Sequence, residues 1–207
     1  MTNYSDNTTT NSWLQTFTGI AFDPMRPDPK DVRIVDIAHA LSHQCRFGGH
    51  CPTFYSVADH SVRVSKVVWD WAQGQGTNVM DTARVSLVGL LHDAAEAYVQ
   101  DIVRPIKYLP EMADYRDAED RVIRAIFARY KLDVWLLDQD WLKLADNIAL
   151  ATEKRDFFPT TPRAWTPLPD PLPDTIVPLS PVEAKQAFLD RFHYLADLMG
   201  PWMKERT

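Results

Sequence analysis

Apolar side chains recur at three- and four-residue spacing in six stretches of this sequence, and nowhere do they alternate with polar ones over the length of a strand. A chain patterned this way must bury helix faces against one another, so the expected architecture is an all-α bundle. The first stripe is Ile34, Ile37, Ala38 and Leu41. Its helix is expected to start near Asp31, because the run Phe22-Asp23-Pro24-Met25-Arg26-Pro27-Asp28-Pro29 cannot continue a helix. Further helices are expected around 56–73, 80–98, 111–130, 138–156 and 181–199. The last of these opens with Ser180-Pro181-Val182-Glu183, which combines a proline in the first turn with a capping box. The sequence shows no internal repeat and no glycine-rich nucleotide loop.

Ionisable residues of metal-ligand type lie in or beside these stripes. His92 and Asp93 are adjacent in Leu90-Leu91-His92-Asp93-Ala94-Ala95-Glu96-Ala97, behind an apolar run. Such groups rarely stay in apolar company without a partner. A divalent cation would be one, since neutral imidazole and carboxylate together suit zinc, manganese, iron or cobalt; a histidine capped by its neighbour at a helix end is the plainer reading. His60 follows the helix-opening pair Ser56 and Asp59 and shares a face with Val57, Val64, Val67, Val68 and Trp71, so it points inward. Taken alone, it reads more often as a satisfied core histidine than as a ligand. Asp146 borders the stripe Trp141, Leu144, Ala145, Ile148 and Thr152, and by itself reads better as a solvated helix aspartate. Three separate helices that each present a metal-ligand side chain near an apolar stripe are less easily ascribed to coincidence.

The order His60, His92-Asp93, Asp146 resembles the ligand set of the HD-domain metal-dependent phosphohydrolases. It is most similar to the branch of the bacterial 5'-deoxynucleotidases and the related phage dATP triphosphohydrolases. The resemblance rests on Val57-Ala58-Asp59-His60-Ser61, His92-Asp93-Ala94-Ala95-Glu96, Asp101 with Pro105-Ile106-Lys107-Tyr108, and Ala145-Asp146, and covers residues 30–155. Arg46-Phe47 is similar to an Arg-Trp pair of that branch, with phenylalanine replacing the indole. The resemblance implies an HD-type helical domain, self-association into a homo-oligomer, and hydrolysis of deoxyribonucleoside 5'-phosphates. Two outcomes are implied through the same residues: phosphate released from a monophosphate, placed first, or triphosphate released from a deoxynucleoside triphosphate such as dATP. A nucleotide sensor that keeps the pocket without turnover, and a purely structural helical scaffold, are the rivals from other classes.

The chemistry asks for these residue types. A cation that binds phosphate oxygens and water relieves the repulsion that protects a phosphate ester. Four ligands, His60, His92, Asp93 and Asp146, leave positions open and fit one firmly bound six-coordinate ion (Co, Mn, Zn, Fe or Mg) better than a closed structural zinc. Glu96, three and four residues after the doublet, shares its face if the helix continues, and is the first choice to orient or deprotonate the attacking water. Asp101 could protonate the leaving oxygen or hold Glu96, and the resemblance implies a catalytic role for it as well. The resemblance also implies phosphate contacts for Arg46 and Lys107, whose plainer reading is as surface cations near a turn. His50 could join them, and Phe47 could stack on a base or pack in the core. No histidine falls between Ala94 and Ala145, which disfavours the dinuclear relatives of the fold; a second ion held mainly by substrate phosphates is compatible with the pattern.

The formal net charge of -6 argues against a nucleic-acid polymer as partner and requires cations to be gathered locally at an anion site. At 207 residues and 45% hydrophobic content the chain can bury one sizeable core, so residues 13–207 are expected to form a single domain behind a loose tail over 1–12. With no apolar stretch of membrane-spanning length and no charged-then-apolar start, the expectation is a cytoplasmic protein that engages no membrane. Cys45 and Cys51 are then expected as free thiols, with a second metal site on Cys45, His50 and Cys51 as the minor alternative. The long loop from Phe157 to Ser180 holds seven prolines and is expected to strap its own domain, with a subunit contact or the pocket rim as alternatives.

Overall fold

The computed structural model describes residues 13–204, so the tail expected over 1–12 lies outside the described residues. The chain opens with a two-residue antiparallel hairpin, β1 (Leu14–Gln15) on β2 (Ala21–Phe22), which the sequence reading did not anticipate. The remaining elements are helical: α1 (Ile34–His43), α2 (Val57–Gly74), α3 (Val79–Leu91), α4 (Glu96–Val99), α5 (Arg104–Lys107), α6 (Ala113–Arg129), α7 (Asp140–Phe157), α8 (Pro181–Met199) and α9 (Pro201–Lys204). Short 3-10 turns at Pro29–Asp31, Arg46–Gly49, Pro110–Met112 and Val134–Asp138 link them. The first helix starts at Ile34, because Asp31 closes the proline-bounded 3-10 turn ahead of it. No helix among the described residues is long and apolar enough to cross a membrane.

Helix α2 is the centre of the bundle, packed on α1, α3, α7 and α8. Its start is fixed locally: the Ser56 hydroxyl accepts the Asp59 N–H at 3.1 Å, a cap that contributes about 1 kcal/mol. At its crossing with α3 the backbones come close, since a Cβ on Gly89 would lie 3.1 Å from Val68 Cγ2 and 3.2 Å from Ser65 Cα. The same crossing carries a buried polar lock. Ser65 and Ser86 bond each other's hydroxyls and carbonyls, and Arg191 of α8 donates to both serine hydroxyls at 3.0 and 2.7 Å. Leu87, Leu90 and Leu91 of α3 and Phe188 and Phe192 of α8 are fully buried around it, each such burial stabilising by about 1.5–3 kcal/mol.

Two expectations are corrected. The helix expected over 80–98 ends at Leu91, and residues 92–95 form turns before α4 begins at Glu96. The His92 ring donates from Nδ1 to the Gly89 carbonyl at 2.9 Å, the acceptor a continuing helix would offer to the Asp93 N–H. Tighter bonds follow, from the N–H of Ala94 to the Leu91 carbonyl and from that of Glu96 to the Asp93 carbonyl. On α7 the inward stripe is Leu142, Ala145, Ala149, Thr152 and Phe157, whereas Leu144 is exposed. Trp141 is set to the side of that stripe, where its ring stacks on Trp71 of α2 at 5.4 Å.

Between α7 and α8 the proline-rich segment does strap its own chain. The Leu172 N–H donates to Thr152 Oγ1 at 2.9 Å, the Ile176 N–H to Asp156 Oδ2 at 2.8 Å, and the Leu179 N–H to the buried Asp59 at 3.1 Å. Arg155 clasps the carbonyls of Leu172 and Asp174. Ile176 is buried with Tyr55 and Phe157 in a small cluster apart from the main core. The box at Ser180 and Glu183 then opens α8 as the sequence predicts.

Candidate metal centre

His60, on the first turn of α2, is fully buried and has both ring nitrogens turned to acids. Its Nδ1–H donates to Glu153 Oε1 at 2.7 Å, which fixes the tautomer and leaves Nε2 to face Asp146 Oδ1 at 3.2 Å and Asp93 Oδ2 at 3.7 Å. His92, at the broken end of α3, is fixed in the same sense by the Gly89 carbonyl, and its Nε2 lies 3.2 Å from Asp93 Oδ2. Two imidazoles therefore present their free nitrogens to one point, and neither Nε2 has a hydrogen-bond partner. Such buried orphaned atoms are costly unless something fills the place between them. His60, His92 and Asp93 offer ligand atoms all within 4.8 Å of one another, a group that could hold a divalent metal ion. Asp146 of α7 adjoins it through the contact with His60.

The electrostatics match a site built for added positive charge. Burial opposes ionisation of Asp93, yet His92, His60 and Arg46 hold its carboxyl well below the usual carboxylate range. His60 loses to burial and to the nearby Arg46, but Glu153 and Asp146 outweigh both and lift it to about 9. Glu96, the first residue of α4, is buried with Oε2 unpartnered. Burial, reinforced by the carboxylates of Asp93 and Asp101, pushes it up to about 10. Asp101 is half-buried and is also raised, first by burial and then by Asp93, against the pull of Arg46 and Lys107.

The structure brings the two expected cations to this place. Arg46 Nη2 donates to Glu153 Oε2 at 3.1 Å, and Nη1 stands 3.7 Å from Asp93 Oδ2. The Arg46–Gly49 turn that carries it bends through left-handed backbone at Phe47, Gly48 and Gly49. Glycine takes that conformation freely; Phe47 does so at a cost. The Phe47 ring meets Phe158 edge-on at 4.8 Å. Lys107 donates to Glu119 of α6 at 2.6 Å and, with His92, Asp93 and Asp146, lines a cavity of about 500 Å³. His50 is exposed at the end of its turn and does not line that cavity. The described cysteines are free, with Cys51 raised to about 11, mainly by burial.

Sequence reasoning missed Glu153, the acid that joins His60 to Arg46. Its signal was present: it follows Asp146 by seven residues, two helical turns along the same face of α7. It also missed Arg104, Arg116 and Lys143, which line the cavity beside Lys107. These come from three helices, and no motif spacing joins them.

Comparison with known proteins identifies a family and two relatives. The profile of the HD domain matches residues 48–147, a span containing His60, His92, Asp93 and Asp146. The uncharacterized protein YfdR of Escherichia coli K12 is 36% identical over 191 residues, covering 90% of this chain and 97% of the relative. An uncharacterized protein of Rhodobacter capsulatus, RCAP_rcc00048, is 31% identical over 146 residues, covering 69% of this chain and 71% of its own length.

Proposed function

This chain belongs to the HD-domain family, whose members are typically metal-dependent hydrolases, and from that premise we propose that it hydrolyses deoxyribonucleoside 5'-phosphates. In this reading His60, His92, Asp93 and Asp146 hold one divalent cation. The observation that carries it is the convergence of two buried Nε2 atoms, each on a ring oriented through its Nδ1, on the carboxylates of Asp93 and Asp146.

A cation at that point would offset the charge of the phosphate oxygens and make water a better nucleophile. The chain's own residues supply the rest. Arg46, buried between Asp93 and Glu153 with its Nε unpartnered, grips phosphate oxygens from one side, and Lys107 does so from the cavity wall. Glu96 orients the attacking water and takes its proton; positive charge brought next to Asp93 favours the ionised form of Glu96 that can accept it. Asp101 gives a proton to the leaving 5' oxygen or steadies Glu96. Burial of Glu96 strengthens its charge interactions with Asp93 and Asp101.

The preference for deoxyribonucleotides rests on the resemblance of Arg46-Phe47, His92-Asp93-Ala94-Ala95-Glu96 and Lys107 to the deoxynucleotidase branch, with the monophosphate as first substrate. The cavity supports a second reading. Its volume of about 500 Å³ gives more room than one phosphate needs and favours a triphosphate released whole, with Arg104, Lys107, Arg116 and Lys143 as the lining cations and a bound metal ion offsetting Asp93 and Asp146. Incubation with each deoxynucleotide and a panel of divalent metals, followed by separation of phosphate from triphosphate, distinguishes the two. Absence of both products with every metal refutes the proposal.

A further inference from the structure

A second cavity, of about 580 Å³, lies between the C-terminal half of α7 and the proline-rich strap. Its chemistry is opposite to that of the metal-centre cavity. Five carboxylate residues line the latter, whereas no aspartate or glutamate among the described residues lines this one, in a chain of net charge -6. Its cations are Lys154, Arg155 and Arg163. Arg155 is committed to Asp156 and to strap carbonyls, which leaves Lys154 and Arg163 as the positive charge facing the space. Lys154 Nζ stands 5.5 Å from the Trp165 ring centroid, and Trp165 leans on Phe158 at 5.7 Å. Thr160, Thr161 and Thr166 add polar side chains to the wall.

A flat aromatic, two cations and three threonines gathered in one cavity are the complement of a ring that carries phosphate. We propose that the strap cavity is a second binding site, taking a nucleoside phosphate with its base against Trp165 and its phosphates on Arg163 and Lys154. The two cavities share no lining residue, so this ligand is distinct from the one at the metal centre, and the site does not depend on hydrolysis there. It is nonetheless joined to that centre: Lys154 directly follows Glu153, and Phe158 touches Phe47, the neighbour of Arg46.

The test is calorimetric titration of the full-length protein in excess EDTA with ATP, adenosine or inorganic phosphate. One ATP per chain is expected, bound at least tenfold more tightly than adenosine or phosphate alone. That affinity should fall tenfold or more in Arg163→Glu and in Trp165→Ala, and be unchanged in His92→Ala. Arg163 is exposed, so its charge reversal leaves the fold intact even where loss of the indole loosens the strap. Absence of ATP binding, ATP no tighter than phosphate, indifference to Arg163→Glu, or loss of binding in His92→Ala would each overturn the proposal.

Discussion

Glu153→Gln separates the metal reading from a purely structural one. Glu153 is fully buried and receives two charge-assisted hydrogen bonds, from His60 Nδ1 at 2.7 Å and Arg46 Nη2 at 3.1 Å. Each is worth about 1.5–3 kcal/mol, so truncation to alanine, which also strands a buried guanidinium, should cost about 3–5 kcal/mol and threaten the fold. Glutamine keeps the volume and one acceptor oxygen, and should cost about 1–3 kcal/mol. Without the carboxylate behind it, His60 would be a weaker and less well-oriented ligand for the proposed metal ion. Loss of such an outer partner lowers metal affinity about 10–100-fold, or about 1.4–2.8 kcal/mol. Urea denaturation gives the first figure, and competition with a chromophoric chelator for zinc or manganese gives the second. A glutamine variant that folds and binds metal as tightly as the parent would refute the reasoning, since His60 would then need no support from Glu153.

Other changes probe other parts of the account. Glu96→Gln should lower turnover by about 10²–10⁴-fold while the bound metal stays stoichiometric; a protein with no turnover to lose would be the sensor or the scaffold. Gly89→Ala forces a methyl to within 3.2 Å of the Ser65 backbone and should destabilise by about 1–3 kcal/mol in chemical denaturation, so an unchanged midpoint would place the α2–α3 crossing elsewhere. The Asp156 carboxyl is lowered by its bond to Arg155, against some burial, with further help from the Ile176 N–H. Its contribution is present above the unfolded carboxylate value of about 4 and is lost as pH falls through the folded one. Limited proteolysis should therefore cut the strap more readily in acid, and Asp156→Asn should abolish that pH dependence.

The parts of this fold legible in the sequence are those whose causes are local. The Ser180 box marks the start of α8 because both partners lie within one turn. His60 reads as inward because its own helix carries the valines beside it. Where a distant or competing group decides, the pattern misleads. The chain leaves helix at His92 because the imidazole takes the Gly89 carbonyl, a choice invisible in an apolar run followed by alanines. On α7, Leu142 and Leu144 are equally apolar, and only packing against the rest of the bundle decides that Leu142 is inside. Glu153 escaped notice because its partners lie 93 and 107 residues away, and an acid two turns beyond Asp146 looks like an ordinary helix surface. The prolines announce a strap, while its anchors Asp59, Thr152 and Asp156 are set only by tertiary contact.

The proposal that His60, His92, Asp93 and Asp146 hold one metal ion is most directly tested by anomalous diffraction from crystals grown with zinc. One peak is predicted, about 2.0–2.2 Å from His60 Nε2, His92 Nε2 and an oxygen each of Asp93 and Asp146. Crystals with no peak there, or with an ion that leaves either imidazole uncoordinated, would contradict it.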